Sequence, residues 1–272
     1  MKKQRVIPVV LFRDGFVVQS RGFREFKKLG NPYSTIKRLS EWGADEIIFL
    51  DISRDEKWSQ IRTDTYRVVA MDFLSVLKDS AKIAFMPLAC GGGIRTLQDA
   101  EARISGGADK IVVNSLLFND PKLVKGMVTE FGSQCVIGSI DVLEANSDYT
   151  IFVDHGSQKI SMGLCEAVSI IQDLGVGEIF LNSISRDGSK AGFDPTLIDY
   201  VASMVDIPLI VCGGAGTETD FEFALKRPGV DAVAAANYFQ HTELSVYRLH
   251  SYLVQVGCNV RPPRHLKLGE MK

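Results

Sequence analysis

Along this chain, apolar runs of strand length alternate with longer segments in which apolar positions recur every three or four residues. The runs lie at 5–11, 46–51, 83–90, 110–114, 134–141, 178–184, 207–212 and 231–236. Helical spacing occupies 32–42, 60–79, 97–105, 121–130, 163–174, 195–205, 218–226 and 243–256. Eight buried strands, each followed by a crossover long enough for a helix, predict parallel pairing in a (β/α)8 TIM barrel of the α/β class. A doubly wound sheet competes, but it leaves an internal repeat unexplained. The stretch from Gly43 to Asp55 (GADEIIFLDISRD) returns as Gly175 to Asp187 (GVGEIFLNSISRD). Met86–Thr96 lies over Ile207–Thr217, and Gly107-Ala-Asp109 over Gly229-Val-Asp231. Strands one to four therefore map onto five to eight. This predicts a single barrel over 1–260, made of half-barrels of about 1–130 and 131–260. Two stretches break the symmetry. Residues 54–82, with Trp58, are longer than a simple connection needs; residues 142–162 predict a β-hairpin projecting from the loop after strand five. The stretch 261–272, opening on Pro262-Pro263, reads as a loose tail.

Composition narrows the class without naming a chemistry. With 46% hydrophobic and 24% charged residues the chain can bury a full core. A net charge of −2 gives no reason to expect nucleic acid or an acidic membrane surface as partner. No apolar run has the length of a membrane span, and no signal-peptide core follows the first residues, so a soluble cytoplasmic protein is expected. The five cysteines, Cys90, Cys135, Cys165, Cys212 and Cys258, form no C-x-x-C pair. They read as reduced core thiols, with no metal site or cofactor implied.

The polar residues after the strands carry the candidate chemistry. Gly91-Gly92-Gly93 and Gly213-Gly214 follow strands three and seven; Asn114-Ser115 and Asn237 follow strands four and eight. Side-chain-free turns let backbone N–H groups approach an anion, so two matching phosphate sites across the mouth would suit a bisphosphorylated ligand. The competing reading is that these glycines only make tight turns. Asp141 ends strand five, on the face where barrels do their chemistry, either as a proton carrier or as a structural carboxylate bonding loop amides. The repeat puts Leu11 opposite it, which leaves half of an acid/base pair. Asp51, Arg186 and Asp187 are further candidates for substrate binding. At the opposite end, Arg5, Glu46, Lys110 and Glu178 begin strands one, two, four and six. Facing inward they would form a ring of alternating sign, serving as a structural plug or as a gate.

Taken together, Arg13-Asp-Gly15 with Gly30 and Pro32, the Gly43–Ile52 run, Gly91-Gly-Gly-Ile-Arg95, Gly107-Ala-Asp-Lys110, Phe131-Gly-Ser-Gln134, Arg186-Asp-Gly188 and Gly213-Gly-Ala-Gly216 resemble the HisF family over 1–260. This is the cyclase subunit of imidazole glycerol phosphate synthase. The resemblance implies a half-barrel-duplicated, ribulose-phosphate-binding type of TIM barrel whose amino-terminal face docks a glutaminase (HisH-like) subunit. Ammonia released there passes a charged gate, matched by Arg5, Glu46, Lys110 and Glu178, and travels up the bore to a phosphorylated small-molecule substrate. The chemistry departs from the family pattern. Leu11 stands where the family has a second catalytic aspartate, Gln19 where it has a loop lysine, Ser185 where it has an aspartate and Asn237 where it has a serine. Losing one acid of such a pair removes roughly 10²–10⁴-fold in rate. An apolar residue at position 11 is similar to a WbuZ-type subgroup linked to lipopolysaccharide O-antigen and other surface glycans. There the resemblance implies ammonia delivery to a separate ATP-dependent amidotransferase. The alternative it implies is a working cyclase of histidine biosynthesis.

Overall fold

The computed structural model describes residues 2–53, 72–145 and 148–263. Arg54, Asp55 and Trp58, the first part of the helix predicted at 60–79, and residues 264–272 of the expected tail lie outside the described residues. The strands are β1 (Arg5–Arg13), β2 (Phe16–Arg21), β3 (Glu25–Gly30), β4 (Ile47–Asp51), β5 (Leu88–Gly91), β6 (Lys110–Val113), β7 (Val136–Ala145), β8 (Asp148–Val153), β9 (Gln158–Ile160), β10 (Glu178–Ser183), β11 (Leu209–Cys212) and β12 (Val230–Ala235). The helices are α1 (Pro32–Glu41), α2 (Phe73–Ala81), α3 (Leu97–Ser105), α4 (Leu116–Asn119), α5 (Pro121–Phe131), α6 (Leu164–Asp173), α7 (Pro195–Ala202), α8 (Glu218–Leu225), α9 (Tyr238–His241) and α10 (Ser245–Gln255).

β1, β4, β5, β6, β7, β10, β11 and β12 pair in parallel in that order, and β12 returns to β1. The barrel is closed, so it has no free edge. Local chemistry sets the element ends. Asn31, Asp120 and Asp194 cap α1, α5 and α7, each followed by a proline at the first helical position, where a missing N–H costs nothing. The aspartate of each Gly-x-Asp turn then fixes the next strand. Asp45, Asp109 and Asp231 accept from the amides of Val6, Leu88 and Leu209 at 2.9, 2.8 and 3.1 Å, satisfying donors at the barrel floor.

Four expectations need correction. The apolar run at 83–90 yields only Leu88–Gly91 as strand. Ile83 and Ala84 donate back to Ser80 O and close α2, leaving Phe85 78% exposed. The run at 207–212 likewise begins its strand at Leu209, with Pro208 O and Pro87 O accepting from the neighbouring strands at Ile179 and Ile47. Residues 133–135 form a 3-10 turn, so the fifth barrel strand starts at Val136. The predicted hairpin after that strand is present as β8 and β9, but it does not break the symmetry. β2 and β3 form the equivalent hairpin after β1, where the polar text of 16–30 gave no strand signal.

Apolar side chains form two layers. The larger lies between barrel and helices. The smaller fills the barrel interior with Ile7, Val9, Ile48, Ile137, Phe180 and Ile210 among its members.

Candidate active site

The carboxyl-end face opens into a cavity of about 370 Å³. Its floor is the upper end of the interior layer, with Val9, Val112 and Phe180 on its wall. Asp141 sits there on β7, buried, one strand from Asn182 of β10 in register. Its Oδ1 accepts from Asn182 Nδ2 and its Oδ2 from Asn114 Nδ2, both at 3.3 Å. Burial raises its pKa to about 7; the Asn182 bond opposes the rise and the nearby charge of Asp187 adds to it. Such a carboxyl group exchanges a proton near neutral pH, as general acid/base work requires.

Strand register identifies the missing partner. Leu11 pairs with Leu50 and Val18 as Asp141 pairs with Asn182 and Phe152, so the two occupy equivalent places in the two half-barrels. Leu11 lines the cavity. Leu11 itself has no proton to exchange.

Three other carboxylates, Asp51, Asp154 and Asp187, line the cavity. Asp51 ends β4 and accepts from the Ser53 amide at 2.9 Å. Burial raises its pKa, opposed by the Ser53 bonds and by the charges of Arg103 and His155. Asp187 accepts from Ser20 Oγ at 2.6 Å and from the Phe23 amide at 3.3 Å; burial raises its pKa against those bonds. Asp187 therefore fastens the β2–β3 hairpin over the mouth. Arg186 points elsewhere: it is absent from the cavity wall and donates to Ala191 O at 3.2 Å.

Gly92, Gly93, Gly213 and Gly214 all line the cavity with positive φ. Two of them have no choice of residue. A Cβ on Gly92 would lie 1.9 Å from Asp51 O, and one on Gly214 would lie 2.0 Å from Gly192 O. The turns are tight, and they also bring backbone to the cavity surface. Asn114, Ser115 and Asn237 line the same cavity but have protein partners. Asn114 bridges Ser139 O and Asp141; Ser115 Oγ accepts from the Asp154 amide at 3.2 Å. Asn237 Nδ2 donates to Ser20 O at 2.7 Å, and its Oδ1 accepts from the Ser20 amide at 3.4 Å. These side chains hold the walls and hairpins together.

At the floor of the barrel the four charges meet across the axis. Arg5 reaches Glu46 and Glu178 at 2.5 Å each, and Lys110 reaches the same two carboxylates at 2.8 and 2.7 Å. The ring is closed, with signs alternating. Burial alone would lower the Arg5 guanidinium, but the bonds and charges of Glu178 and Glu46 outweigh it and raise the pKa. Burial would raise Glu178, but Arg5 and Lys110 pull it below the usual carboxylate range. Each charge has two opposite partners, the condition under which a desolvated ion cluster holds together.

The reading of the sequence missed Asn182, Ser20 and Phe23, and it treated His155 only as hairpin text. Asn182 was visible as the polar residue one strand from Asp141; Ser20 and Phe23 acquire their roles only through the hairpin pairing.

The family described as histidine biosynthesis protein matches residues 5–245. The imidazole glycerol phosphate synthase subunit HisF of Natranaerobius thermophilus is 35% identical over 263 residues, covering 96% of this chain and all of that protein. The subunit HisF of Sulfolobus acidocaldarius is 34% identical over 261 residues, covering 96% and 100%. A putative imidazole glycerol phosphate synthase subunit hisF2 of Pseudomonas aeruginosa is 37% identical over 240 residues, covering 88% and 91%. With its closed parallel barrel and these relatives, the chain belongs to the histidine biosynthesis protein family, as a HisF-type member.

Proposed function

We propose that this chain is the synthase-type barrel subunit of a glutamine amidotransferase system. It receives ammonia from a glutaminase subunit on its amino-terminal face. It uses that ammonia in a lyase/cyclase step on a bisphosphorylated ribulosyl aminoimidazole precursor, the kind of work named for its relatives. The observation that carries this is Asp141, a buried carboxyl group with a pKa near 7 on the floor of the cavity, above the four-charge ring. Ammonia in its neutral form suits an apolar interior, and the ring is where an ammonium ion would give up its proton. The glycine turns after β5 and β11 stand on opposite walls and would hold the two phosphates by their amides. Asp141 then shuttles the proton between substrate and product.

Leu11 favours a second reading. In it the barrel conducts ammonia without cyclising, and a separate ATP-dependent amidotransferase places it on a phosphosugar or nucleotide sugar for a surface glycan. One experiment separates the two. The chain is mixed with its glutaminase, and both glutamine hydrolysis and imidazole formation from the precursor are followed. Cyclisation at an ordinary enzyme rate, lost in Asp141→Asn, supports the first reading. Glutamine hydrolysis without cyclisation, with cyclisation appearing in Leu11→Asp, overturns it in favour of the second.

A further inference from the structure

Leu11 puts no proton carrier on β1 at the cavity, and His155 is one of two imidazoles on its wall, the one held there by a left-handed turn. The turn between β8 and β9 carries Asp154, His155 and Gly156 in succession at φ 50°, 56° and 78°. Two consecutive non-glycine residues in the left-handed region are uncommon and persist only where the surroundings hold them. Here they are held. Ser157 closes the turn by donating its amide and its Oγ to Asp154 O at 3.0 and 2.7 Å, with a further bond from Oγ to Asp154 Oδ2 at 2.8 Å. The Asp154 amide is tied to Ser115 Oγ, and Gly156 packs against Phe23 of the opposite hairpin. The turn is therefore a strap across the mouth, anchored on both sides, and it makes His155 part of the cavity wall. Asp51, whose carboxylate ends β4, lies on the same wall.

We propose that His155 is a second proton carrier at this cavity, doing from the mouth what Leu11 cannot do from β1. This rests on the synthase reading above. One proton leaves the substrate for the Asp141 carboxylate, and one is delivered to the substrate by the His155 imidazolium. Water then returns a proton to His155 and removes one from Asp141, so the cycle has no net proton change. The charged groups sharing the mouth with the imidazole are Asp154 on its own turn, with Asp51, Asp187, Arg13, Arg95 and Lys190 on the surrounding elements. His241, at the end of α9, is a further imidazole on that wall, whereas Lys159, exposed on β9 of the same hairpin, is not on it and serves as the control.

The test measures kcat and KM for precursor cyclisation against pH in the complex with glutaminase, for the wild-type chain, His155→Asn and Lys159→Gln. Expected is a loss of roughly 10²-fold in kcat for His155→Asn, with KM changed less than about threefold, one limb of the pH profile gone, and partial rescue by added imidazole. Lys159→Gln keeps the wild-type profile. A His155→Asn enzyme within about twofold of wild-type kcat, with both limbs intact, overturns the proposal. A wild-type complex that turns over no precursor defeats the synthase reading instead. His155 is then judged by its imidazole NMR resonance, which must shift on adding the precursor; an unmoved resonance overturns the proposal as well.

Discussion

At the scale of a single residue, the site depends on how burial changes one carboxyl group. Asp141 was legible in the sequence as a polar stop to an apolar run, and Leu11 as its mismatch. What the sequence does not carry is the burial that lifts Asp141 to about 7, with the Asp187 charge adding to the rise and the Asn182 bond opposing it, because those surroundings assemble only on folding. The shift has a consequence for stability. Between about pH 4 and 7 the unfolded chain has given up this proton while the folded chain keeps it, so unfolding is favoured increasingly as pH rises. The cost is complete above the folded pKa and amounts to roughly 4 kcal/mol. Asp141→Asn keeps the shape and removes the charge. It is expected to be inactive yet more stable than the wild type at pH 8, with the advantage vanishing near pH 4. Urea denaturation across that range checks the sign; an equal or lower midpoint for Asp141→Asn at pH 8 contradicts the buried-acid account.

Elements repeat more faithfully than residues do. The loops after β5 and β11 each lead into a capping box. Asp99 takes the amides of Arg95 and Thr96, and Asp220 takes those of Gly216 and Thr217, all at 2.8–2.9 Å. Each box pins the start of α3 or α8 and thereby the glycine turn on the cavity wall. Asp99→Ala and Asp220→Ala are each expected to cost about 1 kcal/mol, a fall of about 2–4 °C in melting temperature. The two sites lie in different half-barrels, so the double variant should show the sum, measurable by calorimetry. A strongly non-additive double variant would mean that the two loops are coupled through the cavity. The repeat that produces these boxes was plain in the text because Gly, Thr and Asp recur at fixed spacing. The β2–β3 hairpin was not plain, because Glu25-Phe-Lys-Lys-Leu-Gly30 has an edge strand's polar face and its partner is known only after folding. The short strand at 88–91 failed for the opposite reason: Ile83 to Met86 are apolar enough for a strand, yet they close a helix at the barrel floor.

For the whole molecule, the question is why a barrel keeps four mutually dependent charges beneath an apolar interior. A packed apolar floor would be at least as stable, since removing charges from water costs what their attraction returns. Breaking the ring is another matter. Arg5→Met leaves Glu46 and Glu178 sharing Lys110 alone, and about 3–5 kcal/mol of stability should be lost. Replacing all four with apolar residues of similar volume should leave stability near that of the wild type. The quadruple variant therefore separates the two uses of the ring. If it is only a plug, glutamine-driven turnover continues unchanged. If it is the gate, glutamine-driven turnover falls while turnover with added ammonium salt, which reaches the cavity from the mouth, is retained. The second pattern is the expected one. The interior layer of Ile7, Val9, Ile48, Ala89 and Phe180 lies between the ring and the cavity, and on the proposed reading an apolar layer there would admit neutral ammonia far more readily than ammonium.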